Sequence, residues 1–212
     1  METVKKAEKF WDRTSNRYDK IEKKFEETYL CFIDKWINGL KPDDTAMDLG
    51  CGTGLVCNEI AHKVKKVYAV DISSKMIEIA QRKTQERNIQ NIEYLRTTIF
   101  DSRFESSSID FITAFNILHL LEDTQAAISR IHELLKPGGL IISVTPFVGE
   151  MPLLKTILTI GNKIGLVPGV KAFKNQMLIS SFEECNFEII DTGRLKQNLP
   201  LYFVVGKKGG EG

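Results

Sequence analysis

Apolar residues recur along this chain with two different periods, and the change of period divides the sequence into strands and helices. Short, nearly unbroken apolar runs predict strands at residues 45–49, 66–70, 91–96, 109–114 and 140–144. Between the strands, apolar residues recur at helical spacing after Ser73, a predicted N-cap, and after Thr124. We expect Gly138 and Gly139 to end the second of these helices. The alternation predicts an α/β fold with a parallel sheet and helices on both faces.

Both ends of the chain depart from this alternation. Residues 1–40 are predicted to form an N-terminal helical cap, and residues 41–145 form the core of a single domain that spans residues 1–212. Residues 146–180 are long for a loop and contain a strongly apolar stretch at 151–167. Residues 181–212 contain two terminal strands, predicted at 187–191 and 201–205, after a helix at 177–185.

Residues 46–54 are the most informative segment, because three glycines at alternate positions follow the first predicted strand. Glycine has no Cβ, so the chain can turn sharply and a ligand can approach the backbone closely. The exposed N–H groups at the start of the next helix favour polar or anionic ligand groups. The second strand ends at Asp71, where an acid is well placed to hold a ribose diol.

Two ligands fit this arrangement, a dinucleotide and S-adenosylmethionine. The glycine spacing is Gly50-x-Gly52-x-Gly54, which differs from the G-x-G-x-x-G of dinucleotide sites. Asp48 precedes the turn, where a carboxylate would repel a pyrophosphate and suit a ligand that carries an ammonium group. The sequence therefore favours S-adenosylmethionine. A nicotinamide-dependent oxidoreductase is the rival enzyme class, and a non-catalytic module that binds the cofactor or a partner protein is the other alternative.

Four segments carry a resemblance to a known family. Residues 46–54 resemble motif I of the class I S-adenosylmethionine-dependent methyltransferases, and residues 70–73 resemble their second motif. Residues 106–112 resemble the stretch into their fourth strand, and residues 134–142 resemble the turn before their fifth. The most similar subfamily is the small-molecule type that includes quinone-biosynthesis methyltransferases. The resemblance implies a Rossmann-like, seven-stranded, mostly parallel sheet whose last strand is antiparallel.

The resemblance also implies which residues hold the amino-acid end and the ribose of S-adenosylmethionine. Asp48, Gly50 and Gly52 would line these groups, with Asp48 acting directly or through water. Cys51, between two glycines, would contribute its backbone. Asp71 would accept both ribose hydroxyls.

The expected adenine contacts follow the family only in part. Ile72 and Met76 would pack on the adenine ring, although burial in an ordinary core would explain them equally well. The family usually has an acid after the third strand, and that position falls here on Thr98, followed by Ile99. Thr98 would then offer an oxygen and Ile99 its backbone, with Asp101 as an alternative acceptor.

Three residues are expected near the methyl group and its acceptor. Residues 11–19 resemble a segment that folds over the cofactor in related methyltransferases, which would bring Tyr18 to the methionine end. Asn116 follows the fourth strand and would contact the methionine moiety. His119 is the candidate catalytic base, although a lone histidine in an apolar stretch is more often structural.

Net charge, cysteine spacing and the length of apolar runs limit which other ligands, partners and locations we expect. The net charge is +1 and the charges are interspersed, so no basic stripe indicates nucleic acid. The four cysteines have no metal-binding spacing, so we expect no metal. No run reaches the roughly 18 apolar residues of a transmembrane segment, and the absence of an apolar signal region favours a cytoplasmic location.

We therefore predict transfer of a methyl group to a small, lipophilic acceptor, with S-adenosylhomocysteine as the product. Residues 151–167 would form a lid over the acceptor, a helix buried against the core, or an interfacial attachment. The sequence leaves the acceptor, the methylated atom and the oligomeric state open.

Overall fold

The computed structural model describes residues 2–146, 175–197 and 199–210, and its elements follow the predicted alternation. The helices are α1 (Glu2–Glu22), α2 (Glu26–Ile37), α3 (Leu55–Ile60), α4 (Ser74–Glu86), α5 (Thr124–Leu134) and α6 (Asn175–Glu184). The strands are β1 (Thr45–Leu49), β2 (Lys66–Asp71), β3 (Ile92–Arg96), β4 (Ile109–Phe115), β5 (Leu135–Pro146), β6 (Phe187–Arg194) and β7 (Leu201–Lys208). Short 3₁₀ turns lie at Ala61–Lys63 and Leu118–Leu120.

The strands form one seven-stranded sheet in the order β3-β2-β1-β4-β5-β7-β6. Strands β1 to β5 pair in parallel, whereas β7 runs antiparallel to both β5 and β6. This topology confirms the predicted fold class. The strand order switches between β1 and β4, so the crevice at their carboxyl ends is the expected place for a ligand.

Two buried clusters cover the two faces of the sheet. Neighbouring residues of one strand point to opposite faces, so Ala46 belongs to the cluster beneath α2 and α3, and Met47 to the cluster beneath α5 and α6. Phe111 and Ile112 divide between the two clusters in the same way. Because helices cover both faces, the central strands are largely apolar, as their sequences predicted.

The end of α5 differs from the prediction. The helix ends at Leu134, before the two glycines, and Leu135 already begins β5. Pro137 explains the early end, because a proline disfavours helical geometry in the residue before it. The pairing with β4 then jumps from Leu135 to Leu140, so residues 136–139 form an irregularity within the strand pair. The prediction that Gly138 and Gly139 end the helix was therefore wrong.

The expected substrate lid at 146–180 falls mostly on residues 147–174, which lie outside the described residues; residues 175–180 belong to α6. The division of the chain into a cap, a core, a lid and terminal strands stays a prediction. Within the part of the chain that the structure describes, no helix combines the length and apolarity needed to cross a membrane.

Candidate functional site

The glycine turn joins the ends of β1 and β2. Gly50, Gly52 and Gly54 have φ values of 71°, 51° and 87°, a region that side chains disfavour and glycine enters freely. The Gly50 amide donates to the Val70 carbonyl over 2.8 Å. The Asp71 carboxylate accepts from the Gly52 amide at 3.0 Å. The turn and the acid are therefore held in contact before any ligand binds.

A cavity of about 400 Å³ opens beside this turn. Most of the site residues expected from the sequence line it, although they come from five separate parts of the chain. They are Tyr18, Gly50, Gly52, Asp71, Ile72, Met76, Thr98, Ile99 and Asn116. The fold thus brings the expected cofactor residues to one place.

Asp48 does not line this cavity. Its side chain is buried, with 2% of its surface exposed. One carboxylate oxygen accepts from the Thr113 hydroxyl at 2.7 Å and the other from the Cys57 amide at 3.1 Å. Burial raises the pKa of Asp48 to about 7. The carboxylate joins β1 to β4 and α3 beneath the turn, so the expected direct contact with the cofactor has no support from its position.

Cys51 and His119 also lie outside the cavity lining. Burial raises the pKa of the Cys51 thiol, which therefore stays protonated. His119 lies in the 3₁₀ turn after β4 with 7% of its surface exposed, and its buried Nδ1 has no hydrogen-bond partner. Burial lowers the pKa of His119 to about 4. The structure does not place this histidine where a base for a bound acceptor is needed.

The segment after β3 lines the part of the cavity where the resemblance would place the adenine ring, and Thr98 and Ile99 lie there. Asp101, the alternative acceptor, is bonded elsewhere. Its carboxylate accepts from the Thr97 hydroxyl at 2.7 Å and from Arg103 Nη2 at 2.6 Å, and hydrogen bonds from Arg103 lower its pKa. Thr98 is therefore better placed than Asp101 to meet the adenine ring.

Helix α1 and the loop after β4 supply a wall that the sequence interpretation largely missed. The added apolar lining residues are Val4, Ala7 and Trp11 from α1, Phe100 after β3, and Phe115, Ile117, Leu120 and Leu121 around the end of β4. The residues from α1 recur at helical spacing, which was the available signal. That spacing predicts which residues share one face of the helix, but it does not predict which part of the protein this face contacts.

Polar contacts hold α1 against α4. The Ser73 hydroxyl and the Lys75 amide both donate to Asp12 Oδ1, at 2.6 Å and 3.1 Å. Because Ser73 is the N-cap of α4, Asp12 places a negative charge at the positive end of that helix. Lys83 of α4 pairs with Asp19 of α1.

Asn116 and two tyrosines lie where the resemblance would place the methionine end of the cofactor. Asn116 Nδ2 donates to the Tyr29 hydroxyl at 2.9 Å, and Asn116 and Tyr18 both line the cavity. Burial raises the pKa of Tyr18, so its phenol stays protonated and uncharged. This arrangement gives the end of β4 fixed polar groups next to an apolar wall.

The cavity has acidic groups and lacks basic ones within the described residues. Asp71, Glu122 and Asp123 line it, whereas no described Lys, Arg or His does. A cationic ligand is therefore electrostatically favoured over an anionic one. In the described ranges, no group of three or more His, Cys, Asp or Glu side chains is arranged to hold a metal ion.

Known proteins show the same domain. A family model described as a methyltransferase domain matches residues 47–143. Phosphoethanolamine N-methyltransferase 2 of Caenorhabditis elegans is 27% identical over 184 residues, which cover 78% of this chain and 41% of that protein. The ubiquinone biosynthesis O-methyltransferase of Paracidovorax citrulli is 25% identical over 171 residues, which cover 77% of this chain and 72% of that protein.

The fold also matches a solved structure. A chain from the complex between the Haloferax volcanii Trm112 methyltransferase activator and a methyltransferase superimposes with a TM-score of 0.81 at 13% identity, covering 97% of this chain and 99% of the other. The family match, the fold and the glycine turn together support a methyltransferase domain of the class I S-adenosylmethionine-dependent type, and the chain resembles quinone-biosynthesis members. These similarities support S-adenosylmethionine as the cofactor.

Proposed function

We propose that this chain transfers a methyl group from S-adenosylmethionine to a small, lipophilic acceptor. The observation that supports this proposal is a single cavity lined by the glycine turn and Asp71 on one side and by an apolar wall on the other. The sulfonium already activates the methyl group, so positioning of the acceptor supplies most of the catalysis. A protein base is needed only when the acceptor must lose its proton early.

The geometry supports a specific placement of the cofactor. The amino-acid end lies along Gly50 and Gly52, and the adenine ring lies between Met76 and the segment after β3. Asp71 already accepts from two backbone amides, Gly52 and Ser73, at 3.0 Å and 2.8 Å. An ionised carboxylate has about four acceptor positions, so Asp71 retains capacity for the two ribose hydroxyls.

The names of the relatives point to two different acceptors, phosphoethanolamine and an intermediate of ubiquinone biosynthesis. Proteins recognise phosphate mainly with Arg and Lys, and no described lining residue is of either type. Phe115, Ile117, Leu120 and Leu121 instead present an apolar surface. These residues favour the lipophilic acceptor.

The cofactor is tested by thermal unfolding with S-adenosylmethionine, S-adenosylhomocysteine and NAD added separately. A ligand at 100 times its Kd stabilises a protein by about 2.7 kcal/mol, which raises the unfolding midpoint measurably. We expect shifts with both adenosyl ligands, their loss in Asp71→Ala, and their retention in Glu93→Ala, which removes a surface carboxylate paired with Lys66. A shift with NAD alone would contradict the proposal.

The acceptor is tested by measuring formation of S-adenosylhomocysteine with an alkyl-substituted catechol and with phosphoethanolamine. Turnover of the catechol alone supports the lipophilic class, and turnover of phosphoethanolamine alone contradicts it. Cofactor binding without turnover of either compound would favour the non-catalytic module. The cytoplasmic location and the absence of a nucleic-acid partner stay predictions from the sequence.

A further inference from the structure

Glu22, the last residue of α1, brings a carboxylate to the glycine turn. Its Oε2 accepts from the Thr53 hydroxyl at 2.6 Å. Its Oε1 lies 3.9 Å from the position that a Cβ on Gly52 would occupy, and Tyr18 Cε1 lies 3.4 Å from the same position. Tyr18 and Gly52 both line the cofactor cavity. Glu22 lines a neighbouring cleft together with Glu26 and Lys83, and its carboxylate approaches the wall of the cofactor cavity at Gly52.

The residues around Glu22 compensate its negative charge only in part. An acid in the last turn of a helix faces the negative end of the helix dipole, so helix stability does not favour it there. The nearby cation, Lys83, is paired with Asp19, and its charge also lowers the pKa of Glu22, so the two acids share one cation. Within the described part of the chain, Glu22 Oε1 accepts no hydrogen bond, and burial raises the pKa of this side chain. A partly buried carboxylate that shares its cation with another acid is better compensated when a ligand supplies a second cation.

S-adenosylmethionine carries such a cation at the matching end. Its amino-acid portion bears an ammonium group, and the proposed placement puts that portion along Gly50 and Gly52. Asp71, at the end of β2, faces the ribose and cannot serve both groups. We propose that Glu22 holds the ammonium group of the cofactor, an inference that rests on the proposed function. Glu22 would then be a charged binding residue that α1 contributes in addition to Tyr18.

The competing explanation is that Glu22 only anchors α1 to the glycine turn through Thr53. A series of ligands separates the two roles. S-adenosylhomocysteine keeps the ammonium group and lacks the sulfonium charge, whereas 5′-methylthioadenosine lacks the whole amino-acid end. An anchoring role would affect all of these ligands, while an ammonium partner would affect only those that carry the ammonium group.

The experiment is calorimetric titration of the wild type and Glu22→Gln with S-adenosylmethionine, S-adenosylhomocysteine and 5′-methylthioadenosine. Glutamine keeps an acceptor for Thr53 and removes the charge. Hydrogen bonds to charged groups contribute about 1.5–3 kcal/mol, so we expect roughly tenfold to hundredfold weaker binding of the first two ligands. Binding of 5′-methylthioadenosine should change less than about twofold. Glu26→Gln, at the start of α2 in the cleft that Glu22 also lines, is the matched control and should change nothing.

Equal weakening of S-adenosylhomocysteine and 5′-methylthioadenosine would show anchoring alone and overturn the proposal. Weakening confined to S-adenosylmethionine would point to the sulfonium and overturn it as well, as would an unchanged Glu22→Gln. A wild type that binds neither adenosyl amino acid would instead overturn the proposed function, and this inference with it. If Glu22→Gln does not fold, Glu22→Asp keeps the charge on a shorter side chain and should selectively weaken the ligands that carry the ammonium group.

Discussion

The two walls of the cavity are built in different ways. The wall at the ends of β1 and β2 consists of backbone groups and an acid, and one β-α-β unit supplies all of it. The opposite wall combines α1 with the loop after β4, so residues such as Trp11 and Leu120 meet only in the folded chain. The first wall suits a cofactor that a whole family shares. The second wall is where this chain can select its own acceptor.

The largest effect should come from the buried acid beneath the cofactor wall. Burial raises the pKa of Asp48 from an ordinary 3.8 to about 7, so between these pH values the native state holds a proton that the unfolded chain has lost. The free energy of unfolding therefore falls as pH rises through this window. Asp48→Asn removes that dependence, and its stability relative to the wild type should rise by on the order of 3 kcal/mol from pH 4 to pH 8.

Urea denaturation across this pH range measures the effect. Asparagine can still accept from the Cys57 amide and donate to the Thr113 hydroxyl, so the fold should persist. A pH-independent difference between Asp48→Asn and the wild type would show that Asp48 is already ionised at low pH and that its burial carries little cost.

The next effect concerns the close approach of the glycine turn to α4. A Cβ on Gly54 would stand 2.9 Å from Ala80 Cβ, and the φ of 87° is itself unfavourable for alanine. Gly54→Ala should lower the free energy of unfolding by about 2–4 kcal/mol, since strain in the left-handed region and overpacking add. Gly138 has a similar φ of 81° with open space around it, so Gly138→Ala should cost only about 1 kcal/mol.

Urea denaturation of both variants separates packing from backbone strain. Equal losses in Gly54→Ala and Gly138→Ala would mean that α4 yields to the added methyl group. The cofactor wall would then be less rigid than its contacts indicate.

The apolar wall should govern the acceptor and leave the cofactor unaffected. Leu120→Asn removes one half-buried apolar side chain from the cavity. Burial of a leucine contributes about 1.5–3 kcal/mol, so KM for an alkyl-substituted catechol should rise about tenfold or more. The Kd of S-adenosylhomocysteine should change less than about twofold.

Steady-state kinetics and titration calorimetry provide these two readouts. Ile190→Asn, at an exposed position of β6, is the matched control for an added amide. Similar changes in KM and in cofactor Kd for Leu120→Asn would argue that the two walls are not separable.

The smallest effect is expected at His119. This residue lies between Ile117 and Leu120 of the apolar wall but does not itself line the cavity. His119→Leu should keep kcat within about threefold and leave the pH–rate profile unchanged, because a general base contributes roughly 100-fold or more when it acts. A loss of that size, together with a missing ionisation in the profile, would restore His119 as the base and would require the loop after β4 to rearrange.

The fold and the cofactor wall were predictable from the sequence because their signals are local. Apolar periodicity specifies strands and helices. The glycine spacing specifies the turn after β1, and Asp71 marks the end of the neighbouring strand β2. Thr98 could be located by counting along the chain. Asp48 was harder to interpret, since its position before the turn says nothing about Thr113, a hydrogen-bond partner that β4 brings to it.

His119 and Glu22 show two limits of such local signals. The sequence suggested a role for His119 that its position does not support, and it gave no reason to select Glu22. His119 has the chemistry of a base, yet its turn buries it away from the cavity. Glu22 looks like one of many helix acids until α1 packs against α4 and carries its carboxylate to Gly52. Residue type and spacing determine the backbone conformation of the cofactor turn, because few neighbouring dihedrals define it. Which side chains reach the ligand depends on packing between distant segments, and only the assembled chain determines that.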